Sequence, residues 1–89
     1  MNQSFDHRAP LKSVSELGKF IRENRKSRQL TIATLSGLSN VSPKFLSELE
    51  RGKETAEIGK TLDVIRALGL DLVIRNRSEP TRSARRPLR

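Results

Sequence analysis

Apolar residues recur at helical spacing over four stretches of the chain and at alternating spacing over a fifth. Leu17 and Ile21 share one face that Asn24 to Arg28 continues. Ser13 and Ser15 are possible N-caps, and Glu16 stands three residues after Ser13 in capping-box spacing, so a helix is predicted over about residues 14–28. Thr31 offers a fresh cap for a two-turn helix with Ile32, Leu35 and Leu38 at i, i+3, i+6, stopping near Ser39 and the turn-forming Asn40. After Val41, Ser42 and Pro43 stand in the N-cap and N1 order that starts a helix, with Leu46 and Leu49 as its buried pair and Gly52 as its stop. A fourth helix fits Glu57 to Leu68, where Ile58, Leu62, Ile65 and Leu68 form the core-facing stripe and Gly69 ends it.

Leu70 to Arg77 alternates at its start and carries adjacent β-branched Val73 and Ile74, which predicts a strand. A lone strand in a helical chain cannot bond its own backbone groups, so pairing with the same strand of a second copy is expected, through Leu70, Leu72, Val73 and Ile74. The polar, aperiodic residues 1–12 read as a flexible arm, and residues 78–89, with two Pro and little apolar content, read as a disordered basic tail. Residues 13–69 are left as the folded domain.

Composition narrows the function. Eighty-nine residues suit one small domain, and three Phe without Trp or Tyr leave little apolar surface for a deep substrate pocket. The absence of cysteine and a lone His7 exclude disulfides, thiolate chemistry and His or Cys metal clusters, so neither metal nor cofactor is expected. Glu48 and Glu50 stand two apart on a helix and diverge, so they cannot flank one bond, and no enzymatic activity is expected. No apolar run reaches membrane-spanning length, and a cytoplasmic protein without a membrane partner is the expectation. The net charge of +8 favours a polyanionic partner, but residues 75–89 hold six Arg and one Glu, so the folded part is only mildly basic.

The pattern of the middle segment decides what charge alone leaves open. Two short helices joined through Ser39, Asn40 and Val41, the second opening on Ser42-Pro43, make a helix-turn-helix whose second helix enters the DNA major groove by its first turn. Leu17-Gly18, Ile21, Arg25, Leu30-Thr31, Leu35, Leu38, Val41-Ser42, Leu46-Ser47, Leu49-Glu50-Arg51-Gly52-Lys53, Leu62 and Ala67-Leu68-Gly69 resemble the Cro and cI phage-repressor family of helix-turn-helix proteins, also called the XRE family. The resemblance spans about 54 of the 89 residues. It implies a mainly α, repressor-like bundle of four to five helices, completed by the C-terminal strand that pairs across a dimer. Ile32 departs from the family, which often places a phosphate-gripping Gln there, and Gly37 and Asn40 replace the usual helix former and turn Gly.

The resemblance implies base reading by Pro43, Lys44, Ser47 and Glu48, which lie opposite Leu46 and Leu49; Lys44 suits guanine O6 and N7, Ser47 several bases, and Glu48 cytosine N4. An ordinary solvated helix face is the rival for these positions. Phosphate contacts fall to Thr31, Ser42, Arg51 and Lys53, with Ser42 also capping its helix and plain surface charge the rival for Arg51 and Lys53. Phe45 is open between a thymine-methyl contact and packing. Arg25 and Glu50 match an ion pair of the family and are assigned to structure.

The run Ile65 to Leu70 followed by Asp71 to Arg75 looks like the HipB-type antitoxins. That likeness implies a dimeric repressor that binds an inverted-repeat operator in double-stranded DNA and also a HipA-type Ser/Thr kinase toxin, with Phe5 and Phe20 as candidate contacts for the partner. The alternatives are a stand-alone phage-type or restriction-controller repressor and, in another class, a protein-interaction module with a basic tail.

Overall fold

A computed structural model of the protein describes residues 10–77, and four α-helices make up its regular structure: α1 (Val14–Ser27), α2 (Ile32–Ser39), α3 (Pro43–Glu50) and α4 (Ile58–Ala67). Three starts use the hydroxyl caps that the sequence predicts. Ser13 accepts from the Glu16 amide, Thr31 from that of Thr34 and Ser42 from that of Phe45, each at 3.0 Å. At α4 the Glu57 carboxylate takes this role, accepting from the Lys60 amide at 2.7 Å. Glu16 does not close a capping box onto Ser13; its carboxylate accepts from the Lys12 amide at 2.7 Å.

All four helices end in the same way. The residue after the C-terminal turn enters the left-handed region, at Gln29 (φ 60), Asn40 (φ 59), Gly52 (φ 87) and Gly69 (φ 74). Its amide and the next one bond back to the last carbonyls: Gln29 and Leu30 to Lys26 and Arg25, Asn40 and Val41 to Gly37 and Ser36, Gly52 and Lys53 to Leu49 and Glu48, Gly69 and Leu70 to Arg66 and Ile65. These paired bonds form Schellman motifs that turn the chain sharply enough to pack successive helices.

The core consists of Ile21, Leu35, Leu46, Leu49, Val64, Ile65 and Leu68. α2 packs on α4 and α3, and α1 packs on α3. The α1–α3 approach depends on Gly18, where a Cβ would lie 2.4 Å from the Leu49 carbonyl oxygen. Arg25 joins the same elements. Its Nε and Nη2 donate to the two Glu50 carboxylate oxygens at 2.7 and 3.1 Å, and its Nη1 donates to the Leu30 carbonyl at 2.9 Å. This is the Arg25–Glu50 pair expected from the resemblance, and it is buried.

Two residues expected inside face out. Leu38 is 62% exposed, because each i+3 step falls about 60° short of a full turn. The Ile32–Leu35–Leu38 stripe therefore drifts, and α2 buries Leu35, Ser36 and Ser39. Ile58 is 64% exposed for a related reason: the buried side of α4 is Thr61, Val64 and Ile65, leaving Leu62 half-buried.

No strand forms among the described residues, so the expected strand over Leu70 to Arg77 is absent from the single chain. One chain supplies no second edge to complete a ladder. Leu70 packs against the core, whereas Leu72, Val73 and Ile74 are exposed. Most of the expected arm, with Phe5, and the whole expected tail lie outside the described residues.

Candidate nucleic-acid interface

The sharp turn at Asn40 sets α3 against α2 so that the outer face of α3 is open while Leu46 and Leu49 are fully enclosed beneath it. Pro43 at N1 is compatible with the helix start because an amide at that position has no intrahelical acceptor. Pro43 and Lys44 are exposed, and Ser47 and Glu48 are half-buried on the next turn. All four expected base readers therefore lie on accessible surface at the start and middle of one helix. The buried Arg25–Glu50 pair holds the other end of that helix to α1, which fixes the direction in which the face points.

Thr31 and Ser42 mark two exposed helix N-termini, where free amides and the helix dipole favour an anion. The Thr31 hydroxyl also donates to Thr34 Oγ1 at 3.0 Å. Ile32 packs partly against the core, so the position where the family often carries a phosphate-gripping Gln serves packing here.

Arg51 and Lys53, expected at phosphates, point back along α3. Arg51 Nη1 donates to Ser47 Oγ at 2.8 Å, and Lys53 Nζ lies 3.0 Å from Glu48 Oε1. Gly52 permits this return. Its positive φ suits glycine, and a Cβ there would lie 2.9 Å from the Ser15 Cα. The Lys53 hydrogen bond holds the Glu48 carboxyl below its ordinary pKa; partial desolvation opposes this, and the charges of Lys53, Lys44 and Arg51 add to it. Glu48 is therefore an ionised acceptor at neutral pH.

Phe45, left open between a base contact and packing, is half-buried against the core, with Lys60 Nζ 5.8 Å from its ring centroid. Lys60 carries no signal in the sequence, since an α4 lysine gives no local sign that it will sit beside α3. Phe20 is half-buried on α1 and borders a shallow depression with Leu11, Lys12 and Glu23, remote in sequence from the α3 face. Among the described residues no helix is long and apolar enough to cross a membrane.

No family model matches the chain. An uncharacterized HTH-type transcriptional regulator, y4mF, of Sinorhizobium fredii is 38% identical over 64 residues, spanning 72% of this chain and 84% of that protein. Among solved structures, the HipB-O4 20mer complex and the HipA-HipB-O2-O3 complex each contain a chain that superposes with a TM-score of 0.71 at 13% identity, over 76% of this chain and 96% of the matched one. At that identity the likeness establishes the fold, a HipB-like helix-turn-helix bundle. Identity along most of a regulator's length, together with that fold, places the chain in the family of HTH-type transcriptional regulators.

Proposed function

We propose that the protein is a sequence-specific DNA-binding repressor that acts as a twofold dimer on an inverted-repeat operator, with α3 reading bases in the major groove. The observation that carries this reading is the open α3 face: Pro43, Lys44, Ser47 and Glu48 are accessible on a helix whose opposite side is locked into the core. Thr31 and Ser42 present two helix N-termini to the sugar-phosphate backbone. The exposed Leu72, Val73 and Ile74 support pairing of the C-terminal segment with its counterpart in a second copy, because exposed apolar residues on an unpaired segment are otherwise costly.

The test is binding to operator duplex against random duplex. Lys44→Ala or Ser47→Ala costs about 1–3 kcal/mol on the operator and much less on random DNA. Equal losses on both would remove base reading from α3.

The fold shared with a chain of the HipA-HipB-O2-O3 complex supports a finer reading, that the dimer is an antitoxin that also captures a HipA-type kinase toxin. The α1 surface around Phe20 shares no residue with the α3 face, so this reading assigns the two partners separate surfaces. In a pull-down with the product of the neighbouring gene, the wild type captures the toxin, and Phe20→Ala weakens capture while leaving operator affinity unchanged. Absence of a complex at micromolar concentrations would leave a stand-alone repressor.

A further inference from the structure

Two of the four base-reading positions do not stand alone. Ser47 and Glu48 are each gripped by a cation from the turn that follows α3: Arg51 at 2.8 Å and Lys53 at 3.0 Å. The turn that delivers these cations is set by the Gly52 backbone and by the bonds from the Gly52 and Lys53 amides to the Leu49 and Glu48 carbonyls. Both ends of the Glu48–Lys53 contact are therefore anchored to α3 itself. The Lys53 and Glu48 side chains are 49% and 26% exposed, so the contact adds little to stability and its consequence is directional.

The chemistry of each contact narrows what its partner offers to a base edge. A serine hydroxyl can donate or accept, but one whose oxygen already receives an arginine N–H has its own proton to give. Ser47 then favours acceptors, such as purine N7, guanine O6 or thymine O4. In Glu48, Lys53 occupies Oε1, leaving Oε2 to accept from cytosine N4 or adenine N6. The ammonium also offsets a negative charge that would otherwise approach the phosphates unpaired, in a closing interface where screening by water falls away.

We propose that Arg51 and Lys53 are positioning residues for specificity, acting through Ser47 and Glu48 to set one donor and one acceptor on the reading helix. They do not serve primarily as phosphate anchors. This rests on the DNA-reading role of α3.

The experiment uses the full chain. Sequences are first enriched from a random duplex library with the wild type. Affinity for the enriched duplex and for its single-base variants is then measured over a range of salt for the wild type, Lys53→Met, Glu48→Gln, the double variant and Lys53→Arg. Lys53→Met is expected to weaken binding about tenfold and to flatten the preference at the base pair facing Glu48, with a salt slope close to that of the wild type. In the Glu48→Gln background the same change costs less than twofold, and Lys53→Arg retains the preference. Arg51→Met with Ser47→Ala forms the matching cycle.

If Lys53→Met costs the same factor in both backgrounds and lowers the salt slope by about one, Lys53 contacts a phosphate and the proposal falls. An unchanged base preference in Lys53→Met also overturns it. Failure of the wild type to enrich any sequence would instead remove the DNA-reading role itself, and this inference with it.

Discussion

Gly18 and Gly37 are both interior helical glycines, yet the same added methyl group meets opposite surroundings. At Gly18 it would press into backbone, 2.4 Å from the Leu49 carbonyl oxygen and 2.7 Å from that of Glu50, where no side-chain rotation relieves the contact. At Gly37 it would meet nothing within 4 Å. Gly18→Ala is therefore expected to destabilise the fold by at least about 2 kcal/mol, overriding the helix-propensity gain. Gly37→Ala is expected to stabilise it by about 0.5–1 kcal/mol, because a helical glycine loses more backbone freedom on folding than alanine. Urea denaturation of the two variants checks the pair, and a stabilised Gly18→Ala protein would show that α1 and α3 are not in close contact. The Gly18 shift also reaches the candidate site, since pushing α1 away from α3 strains the Arg25–Glu50 pair that orients α3.

Helix starts and most helix ends were legible because they depend on local chemistry. Ser13, Thr31 and Ser42 carry a hydroxyl one position before the helix, and Asn40, Gly52 and Gly69 tolerate the left-handed turn that closes it. Gln29 closes α1 in the same conformation without any such preference, and so gave no signal in the sequence. Its turn is held by contacts made only on folding, the Leu30 amide bonding to the Arg25 carbonyl and the Arg25 guanidinium to the Leu30 carbonyl. The inward side of α2 was legible only in part: Leu35 is buried and Ile32 packs partly against the core as the stripe predicts, but the rest of the buried face was not. Ser36 and Ser39 are buried while Leu38 is not, and the burial is tolerated because both hydroxyls donate within the helix, to Ala33 and Leu35 carbonyls at 2.9 and 2.6 Å. In α3 the open face followed from the Leu46–Leu49 spacing, and the Ser47–Arg51 contact had the i, i+4 spacing of neighbours on a helix. The Glu48–Lys53 contact had no such trace, since it crosses the end of α3 and exists only through the turn at Gly52.

At the scale of the molecule, the proposed dimer turns on the C-terminal segment, whose pairing would place a second α3 beside the first. The Schellman turn at Gly69 directs Leu70 onto the core, and side chains two apart on an extended segment share a face. Leu72 and Ile74, 50% and 89% exposed, would therefore continue the Leu70 face towards a second copy, with Val73 on the opposite side. Pairing with the counterpart segment would bury these residues and satisfy backbone groups that the single chain leaves without a ladder. It would also set two α3 helices about a twofold axis, suited to half-sites roughly 10 bp apart centre to centre or a multiple of that distance. In the proposed dimer Val73→Pro would remove a ladder donor without touching the helical core, so it is expected to shift association towards monomer and to weaken operator binding in parallel, while the thermal transition of the monomer changes little. Sedimentation velocity across a concentration series reads the first effect and operator titration the second. An unchanged dimer would move the pairing surface elsewhere, with the exposed Leu38 beside Ala67 and Arg66 as the next apolar candidate, since these residues border one shallow depression between α2 and α4.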